Sequence, residues 1–577
     1  MKVGRVKMCG IIGGSKLSWN YEAAVASIKH RGPDAQRICK FMDFALAFVR
    51  LSIIDLSDNG MQPMQSEDRN VAIVFNGEIY GFQKLRNQLI YKGYKFSSSS
   101  DTEVILNAYL EYGDKFVHHI DGMFAIVIYD KISCKIKLYR DRVGIKPLYY
   151  FYNGKDFAFA SELKAITNLC NDIDFNVDYT AIYDYLTYSY IPEPKTMYKN
   201  VFKLPPGHYL IYDLKSNRIE TIRRYWKLNV NDAFSDKSNI QEVNEEIRRL
   251  IGESVNEQLV SDVPVGSFLS GGIDSSVVTY EIMKINPKIE AFSLGFSYKK
   301  YDELQYADLL VNDLNIIKNQ EIVDKNKVSK LYPKLKEWYD EPYSDTSAYP
   351  TYLVSKLARK KVSVVLTGDG GDEVFGGYSR YNDFQIYSKD SHGINNAKVS
   401  LLFERLVASM ELPENSRLSD FFLDDIVKIC IMTNGMPKMF KKEYAKQYHI
   451  DKDYDDYWFF RKHYHKEFPP ITRMQYLDFH TYLPGDILTK IDRVSMQHSL
   501  EARVPFLSKK IVEFAFGIAQ ETRCPSGKLK GILKDSYRDL IPDKILDRRK
   551  MGFNLPNTFI KGDFAHQEEL LKSIWKL

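Results

Sequence analysis

Apolar residues between positions 9 and 210 fall into short continuous or alternating runs, at 44–48, 71–75, 123–129, 136–139 and 157–160, separated by Gly and Asp. Runs of that length with that punctuation predict strands, so this part reads as sheets with few helices. The exception is 103–112, whose spacing predicts a helix capped by Asp101 or Thr102. A Leu-Pro-Pro-Gly turn at 204–207 and a charged, Asn-rich stretch at 227–240 read as a linker. From about 241 the pattern changes. Strands are predicted at 265–269, 291–296 and 362–366, with helices at 275–284 and 302–314. Strands alternating with helices predict βαβ units and a parallel sheet covered on both faces. Residues 385–480 are helical in tendency and carry no motif. There is no internal repeat, and the only low-complexity piece is the serine run at 97–100. The predicted boundaries are an extension or propeptide at 1–8, a first domain at 9–210, a linker at 211–240 and a second domain at 241–577.

Composition narrows the classes. A chain of 577 residues should build two or three domains. Its 44% apolar and 27% charged content is that of a globular protein in water. A net charge of +5, with no Lys/Arg run interleaved with aromatics, gives nucleic-acid binding little support. The six cysteines, at 9, 39, 134, 170, 430 and 524, contain no C-x-x-C, so neither a zinc site nor a disulfide scaffold is indicated. No apolar run approaches the ~18 residues of a membrane helix. Lys2, Arg5 and Lys7 look like the basic start of a signal peptide, but too short an apolar stretch follows. The expected compartment is the cytoplasm.

The most informative position is Cys9, preceded by Met8 and followed by Gly10-Ile11-Ile12-Gly13-Gly14. A cysteine that becomes residue one owns an α-amine beside its thiol. That amine titrates near ~7.7 and can act as base for its own nucleophile. Met8 is then either the true start or the last residue of a short propeptide. A lone cysteine near a terminus is otherwise most often structural. Four further pieces accompany it: Arg50 before Leu51-Ser52-Ile53-Ile54-Asp55, Asn76-Gly77-Glu78-Ile79-Tyr80, Ser100-Asp101-Thr102-Glu103, and Arg140-Asp141-Arg142-Val143-Gly144. Singly these are weak, since Asn-Gly is usually a turn and an arginine beside a strand is usually solvated.

Together, in this order, they resemble the class-II glutaminase domain of the N-terminal-nucleophile amidotransferases, which implies a four-layer αββα fold. Glutamine hydrolysis needs a nucleophile, oxyanion donors and groups for the substrate's charged end. Cys9 would be the nucleophile, and the Asn76 amide with the Gly77 N–H the oxyanion hole. Arg50 would hold the glutamine carboxylate, and Glu78 and Asp101 its ammonium. Phe48-Val49 precedes Arg50 where many members carry a histidine nearby.

In the second half, Leu269-Ser270-Gly271-Gly272-Ile273-Asp274-Ser275-Ser276 lies between a predicted strand and helix, and no G-x-x-x-x-G-K-[ST] occurs. Glycines let backbone N–H groups approach phosphate, serines add donors and the helix N-terminus adds positive potential. Asp274 makes sense there as a ligand to Mg²⁺. A second loop, Thr367-Gly368-Asp369-Gly370-Gly371-Asp372-Glu373, again follows a strand. With Leu500-Glu501-Ala502-Arg503-Val504-Pro505-Phe506-Leu507, these loops resemble the synthetase domain of the glutamine-hydrolysing asparagine synthetases. That domain is an α/β fold of the adenine nucleotide α-hydrolase type, and with the glutaminase in front the resemblance spans nearly the whole chain.

It implies a ligase that adenylates a carboxylate with ATP and displaces AMP with ammonia, aspartate being the first acceptor. By residue match, Asp274 and Asp372 would hold Mg²⁺, and 270–276 the pyrophosphate portion. Leu269 and Leu294 would line the nucleoside pocket beside Thr367, Gly368 and Asp369, and Lys550 would stabilise the α-phosphate. Glu501 and Arg503 are the nearest acid and base for the acceptor. Asp369 stands where some members carry glutamate. Two rivals remain: a relative amidating another carboxylate, such as a sugar acid of a surface polysaccharide, and an inactive regulatory or scaffold relative. A homodimer is compatible with the sequence.

Overall fold

The computed structural model describes residues 9–577 except 33, 52, 231–239, 299–300, 390–424, 434–440, 554, 557–558 and 560–568. The predicted extension at 1–8 therefore lies outside the described residues.

Twelve strands make two six-stranded antiparallel sheets in the first half. They are β1 (Gly10–Gly14), β2 (Ala35–Lys40), β3 (Ala45–Arg50), β4 (Met64–Gln65), β5 (Val71–Tyr80), β6 (Asp121–Asp130), β7 (Lys135–Arg140), β8 (Tyr149–Tyr152), β9 (Phe157–Ala160), β10 (Val201–Lys203), β11 (His208–Asp213) and β12 (Arg218–Arg224). One sheet runs β10-β8-β9-β1-β3-β2, the other β12-β11-β7-β6-β5-β4. The pleat explains their packing. Along β5, Ala72 and Val74 turn into the layer between the sheets, whereas Val71, Ile73 and Phe75 turn out against the helices Phe82–Tyr91 and Asp101–Tyr112. Both faces are buried, so the strand reads as a continuous apolar run rather than an alternating one. The helices Tyr21–Ser27, Leu163–Leu169 and Tyr179–Tyr188 cover the other sheet. The result is the expected αββα order, with more helix than the sequence pattern indicated.

Two sequence expectations are corrected here. Residues 211–224 are not linker: β11 pairs with β7, and β12 pairs with β11, closing the second sheet. The helix at 101–112 is capped by Ser100, whose side chain accepts from the Thr102 N–H, and not by Asp101 or Thr102.

The second half contains an all-parallel sheet of β13 (Val265–Phe268), β14 (Glu290–Phe296), β15 (Ile317–Val323), β16 (Val364–Leu366) and β17 (Glu501–Arg503), ordered β15-β14-β13-β16-β17. The chain winds outward from β13 to β15, then returns to place β16 on the other side of β13. This reversal is a topological switch point, and the crevice at its carboxyl end is where such sheets take ligands. The helices Ile273–Ile285, Leu304–Leu314 and Ala348–Ala358 pack on the sheet. The stretch 385–480 yields, among its described residues, the helices Asp425–Met432, Lys442–Gln447, Trp458–His463 and Pro470–His480. One hydrophobic cluster runs from Leu51, Ile53, Met123 and Ile145 of the first half into Val255, Leu269 and Val277 of the second. No helix among the described residues is long and apolar enough to cross a membrane.

Candidate active sites

Cys9 sits at the entry to β1, with its Sγ against the backbone of Leu51 at the end of β3. The Leu51 N–H donates to the sulfur at 3.4 Å, and the Leu51 carbonyl lies 3.5 Å from it. Burial pushes the Cys9 thiol up to about 12. Within this chain the sulfur is therefore a thiol that needs a base. A cavity opens over it, lined by Cys9, Arg50, Gly77, Glu78, Ser100 and Asp101, with Glu501 arriving from the second half. Five of the six residues expected to handle glutamine are thus gathered around one space.

The sixth, Asn76, is fully buried between two residues of the cavity wall, Phe75 and Gly77. Its side chain follows Ala72 and Val74 into the layer between the sheets, where Cys9 also packs. Neither the Nδ2 nor the Oδ1 of Asn76 has a hydrogen-bond partner among the described residues. A buried amide without partners costs free energy, so it marks a position kept for something else. Gly77 has φ +148°, and a Cβ there would meet the Met123 carbonyl oxygen at 2.0 Å. Only glycine allows β5 this close to β6.

Arg50 is aimed by its own loop: it donates to the carbonyls of Ser57 (2.6 Å) and Asp55. Gly60 makes room, since a Cβ there would lie 2.4 Å from the guanidinium. Asp101 opens its helix and accepts from the Ile79 N–H at 3.0 Å; burial raises it to about 6. Glu78 is pushed up by burial and by Asp101, against the pull of Arg503, whose Nη2 lies 3.2 Å away.

The Arg503 contact overturns the expectation that Glu501 and Arg503 hold the acceptor. Both side chains turn toward the first domain. Arg503 is fully buried, donating to Glu501 (2.7 Å) and to the carbonyls of Gln258 (2.6 Å) and Val260 (2.7 Å). A guanidinium with that many partners has no face left for a small carboxylate. β17 joins the two halves instead: the Arg503 side chain reaches Glu78 of the first, while its carbonyl accepts from the Thr367 N–H (2.9 Å) on the second-half loop.

That loop and the 269–276 turn meet at the carboxyl ends of β16 and β13. Ser270 Oγ and Ser275 Oγ lie 3.1 Å apart. Gly272 caps the Ile273–Ile285 helix without a side-chain bond, which leaves the first-turn N–H groups facing the crevice. Ser276 Oγ is buried with no partner among the described residues. Gly368 and Gly371 let the loops touch, since a Cβ on either would lie within 2.8 Å of Asp274. Leu269, just past the end of β13, and Leu294, on the adjoining β14, are both buried. Asp369 accepts from Thr367 Oγ1 at 2.8 Å and is raised by burial.

Asp274 and Asp372 converge on one cation, Lys530: its Nζ contacts Asp274 Oδ2 and lies 2.6 Å from Asp372 Oδ1, while Lys550 Nζ pairs with Asp372 Oδ2. The two lysines hold the Asp372 carboxyl below its usual range. Asp274 Oδ1 stays buried and unpartnered among the described residues. Two convergent carboxylates with a bare oxygen fit Mg²⁺, which takes one or two protein carboxylates and completes its shell with phosphate and water.

Sequence reasoning missed Lys530. Its local signal is a left-handed backbone (φ 54°) before Gly531, but a lysine among lysines carries no mark of its destination. It also missed Lys490, which is buried and donates to Asp345 (2.8 Å) and Ser347 (2.7 Å); Asp486 and Asp369 add to the acidity around it.

Comparison with known proteins agrees with this geometry. Residues 246–572 match the family described as asparagine synthase, and residues 8–226 match the glutamine amidotransferase domain. The chain is 35% identical over 536 residues to asparagine synthetase [glutamine-hydrolyzing] 1 of Bacillus subtilis, covering 92% of this chain and 82% of that protein. It is also 35% identical over 481 residues to a putative asparagine synthetase of Methanocaldococcus jannaschii, covering 75% of this chain and 90% of that one. Amidase chry2 of Gibberella zeae is 28% identical over 613 residues, covering 95% and 86%. The fold and sites define an ATP-dependent carbon–nitrogen ligase that hydrolyses glutamine as its nitrogen source. The chain belongs to the asparagine synthase family.

Proposed function

We propose that this ligase converts aspartate to asparagine, through an aspartyl adenylate and ammonia released at Cys9. In the first site, Cys9 attacks the glutamine amide carbon. Its buried thiol needs a base, and the Cys9 α-amine, freed by removal of 1–8 or by initiation at Met8, would supply one. The Asn76 amide and the Gly77 N–H would receive the oxyanion, Arg50 the substrate carboxylate and Asp101 its ammonium. Glu78, already engaged by Arg503, would support that ammonium from behind.

In the second site, the acceptor carboxylate attacks the α-phosphorus of ATP and pyrophosphate leaves. Ammonia then attacks the acyl carbon, and AMP leaves with the bonding electron pair. Asp274 and Asp372 would hold Mg²⁺, which when bound offsets phosphate charge. Ser270, Ser275 and Ser276 donate to the pyrophosphate portion, and Lys550 turns to the α-phosphate as phosphate oxygens replace Asp372 around it.

The observation that carries the acceptor is Lys490 with Asp345 and Asp369. A buried cation ringed by acids is suited to a molecule bearing both an α-carboxylate and an α-ammonium. A sugar acid has no ammonium to occupy the acids. The test is ATP–pyrophosphate exchange with carboxylates supplied one at a time. Exchange with aspartate is expected; exchange with a uronic acid and none with aspartate would replace the acceptor and leave both chemistries standing.

A further inference from the structure

A second cavity, separate from both sites, lies where the end of β12 meets the helices Trp458–His463 and Pro470–His480. Its walls carry Arg224, Lys462, His208, His463 and His480, with Trp226 and Phe459 as flat apolar surfaces. No residue of the Cys9 cavity or of the 269–276 and 367–372 loops lines it.

Its charge is one-sided. Arg224 and Lys462 form no ion pair among the described residues. Arg142 also reaches the cavity, but its guanidinium is occupied by Asp121 (2.8 Å) and the Ile120 carbonyl (2.8 Å). The acid in the lining, Glu193, is held by Arg140 at 2.7 Å. The imidazoles of His463 and His480 stack at 5.2 Å, and His480 Nε2 is buried with no hydrogen-bond partner among the described residues. His208 turns its Nδ1 to the Pro206 carbonyl at 2.7 Å. Nearby, His465 is paired with Glu467.

Two cations and three imidazoles face a cavity whose acid, Glu193, is already held by Arg140, and a buried ring nitrogen left bare adds to the cost. We propose that this cavity is a binding site for a phosphate group, presented by inorganic phosphate or by a small phosphate ester. Arg224 would supply a planar fork and Lys462 a point charge, matching the two ways proteins hold phosphate. His480 Nε2, as the protonated tautomer at that nitrogen, would donate the buried hydrogen bond. The same sign of charge shows in the histidines. Burial and the neighbouring cations lower His463 to about 3 and hold His480 well below its ordinary value, so both rings stand neutral in a positive surrounding. The two cations come from opposite halves of the chain, so occupancy would also clamp the halves together.

The nucleotide site binds phosphates too, so the readout has to be local. The full chain is labelled with ¹³C at histidine Cε1, and inorganic phosphate and AMP are titrated in separate experiments. The resonances of His463 and His480 are identified by their loss in H463Q and H480Q. The expected result is a saturable shift of both resonances with at least one of the two ligands. In the Arg224→Ala/Lys462→Ala double variant the affinity should fall at least about tenfold, and Arg224→Lys/Lys462→Arg should keep it within about threefold. Both residues are surface-facing, so glutaminase activity without added phosphate serves as the check on folding. Unmoved resonances with both ligands, or the same shifts in the alanine double variant, would overturn the proposal.

Discussion

The glutamine pocket and the adenylation crevice both use glycines for close backbone approach, yet they prepare for substrate in opposite ways. Around Cys9 the protein leaves groups bare. Asn76 has neither amide atom satisfied among the described residues, and Arg50 is tied to loop carbonyls that orient its guanidinium without neutralising it. Around Asp274 the protein compensates charge: Lys530 bridges the two aspartates and Lys550 covers the second. A neutral amide waiting unpaired is affordable in a rigid sheet, whereas two buried carboxylates side by side are not. Their mutual repulsion and desolvation require cations at once. The glutaminase is therefore preorganised, and the synthetase exchanges partners when nucleotide and metal arrive.

The largest test of this contrast is Cys9→Ala. Glutaminase activity and glutamine-dependent synthesis should fall by more than about 10³-fold, the scale for deleting a nucleophile. Synthesis from ammonium salts should persist, because the second site requires only ammonia. Loss of both activities would mean that Cys9 also supports the fold across the shared core. Next in size, Asp274→Asn and Asp372→Asn should each lower pyrophosphate release by about 10²-fold or more and leave glutamine hydrolysis intact. AMP must be the stoichiometric product; ADP would refute adenylation. Asn76→Ala should reduce kcat for glutamine by about 10²–10³-fold with little change in KM, the signature of a lost oxyanion donor. A large KM change with unchanged kcat would place Asn76 in ground-state binding instead.

A subtler variant probes the join between the sites. Arg503 reaches Glu78 in one site, and its carbonyl binds Thr367 in the other. Arg503→Lys keeps the charge and loses the fork that serves Glu78, Glu501 and two carbonyls at once. Glutamine-dependent synthesis should fall about tenfold while ammonia-dependent synthesis stays within about twofold. Equal losses in both would assign Arg503 to general stability.

How much of this was legible in the sequence follows from the same contrast. Cys9, Arg50, Asn76-Gly77-Glu78 and Asp101 could be proposed because together, in that order, they resemble a known glutaminase domain, and the structure brings all but Asn76 to the wall of one cavity. The glycine loops at 270–276 and 367–372 were readable because close backbone approach leaves no other residue. Lys530 and Lys490 were not, since a lysine's role is set by where a long flexible stem ends, and nothing local records that. Arg503 was placed at the wrong site for a related reason: its backbone belongs beside Thr367, but its side chain crosses to Glu78. The end of β11 and all of β12 were mistaken for linker because β12 is an edge strand with an exposed, charged face, and its apolar alternation is weak.

The smallest effect concerns acidity and tests whether Asp101 meets the glutamine ammonium as a carboxylate. Burial raises Asp101 to about 6, so the group is ionised above that pH and protonated below it in the free enzyme. A neutral acid cannot pair with an ammonium, whereas the Cys9 α-amine, which titrates near ~7.7, acts on kcat rather than on glutamine binding. KM for glutamine should therefore stay flat from pH 8 to about 6.5 and rise about tenfold per unit below pH 6. Ammonia-dependent synthesis does not use Asp101, and its dependence on nucleotide concentration should show no inflection there. Asp101→Asn should raise KM at pH 7.5 by about tenfold and abolish the acid-side rise. If the rise survives in Asp101→Asn, the titrating group is Glu78, which burial also raises and Arg503 restrains. The ammonium would then be held from the β5 wall of the pocket rather than from the helix.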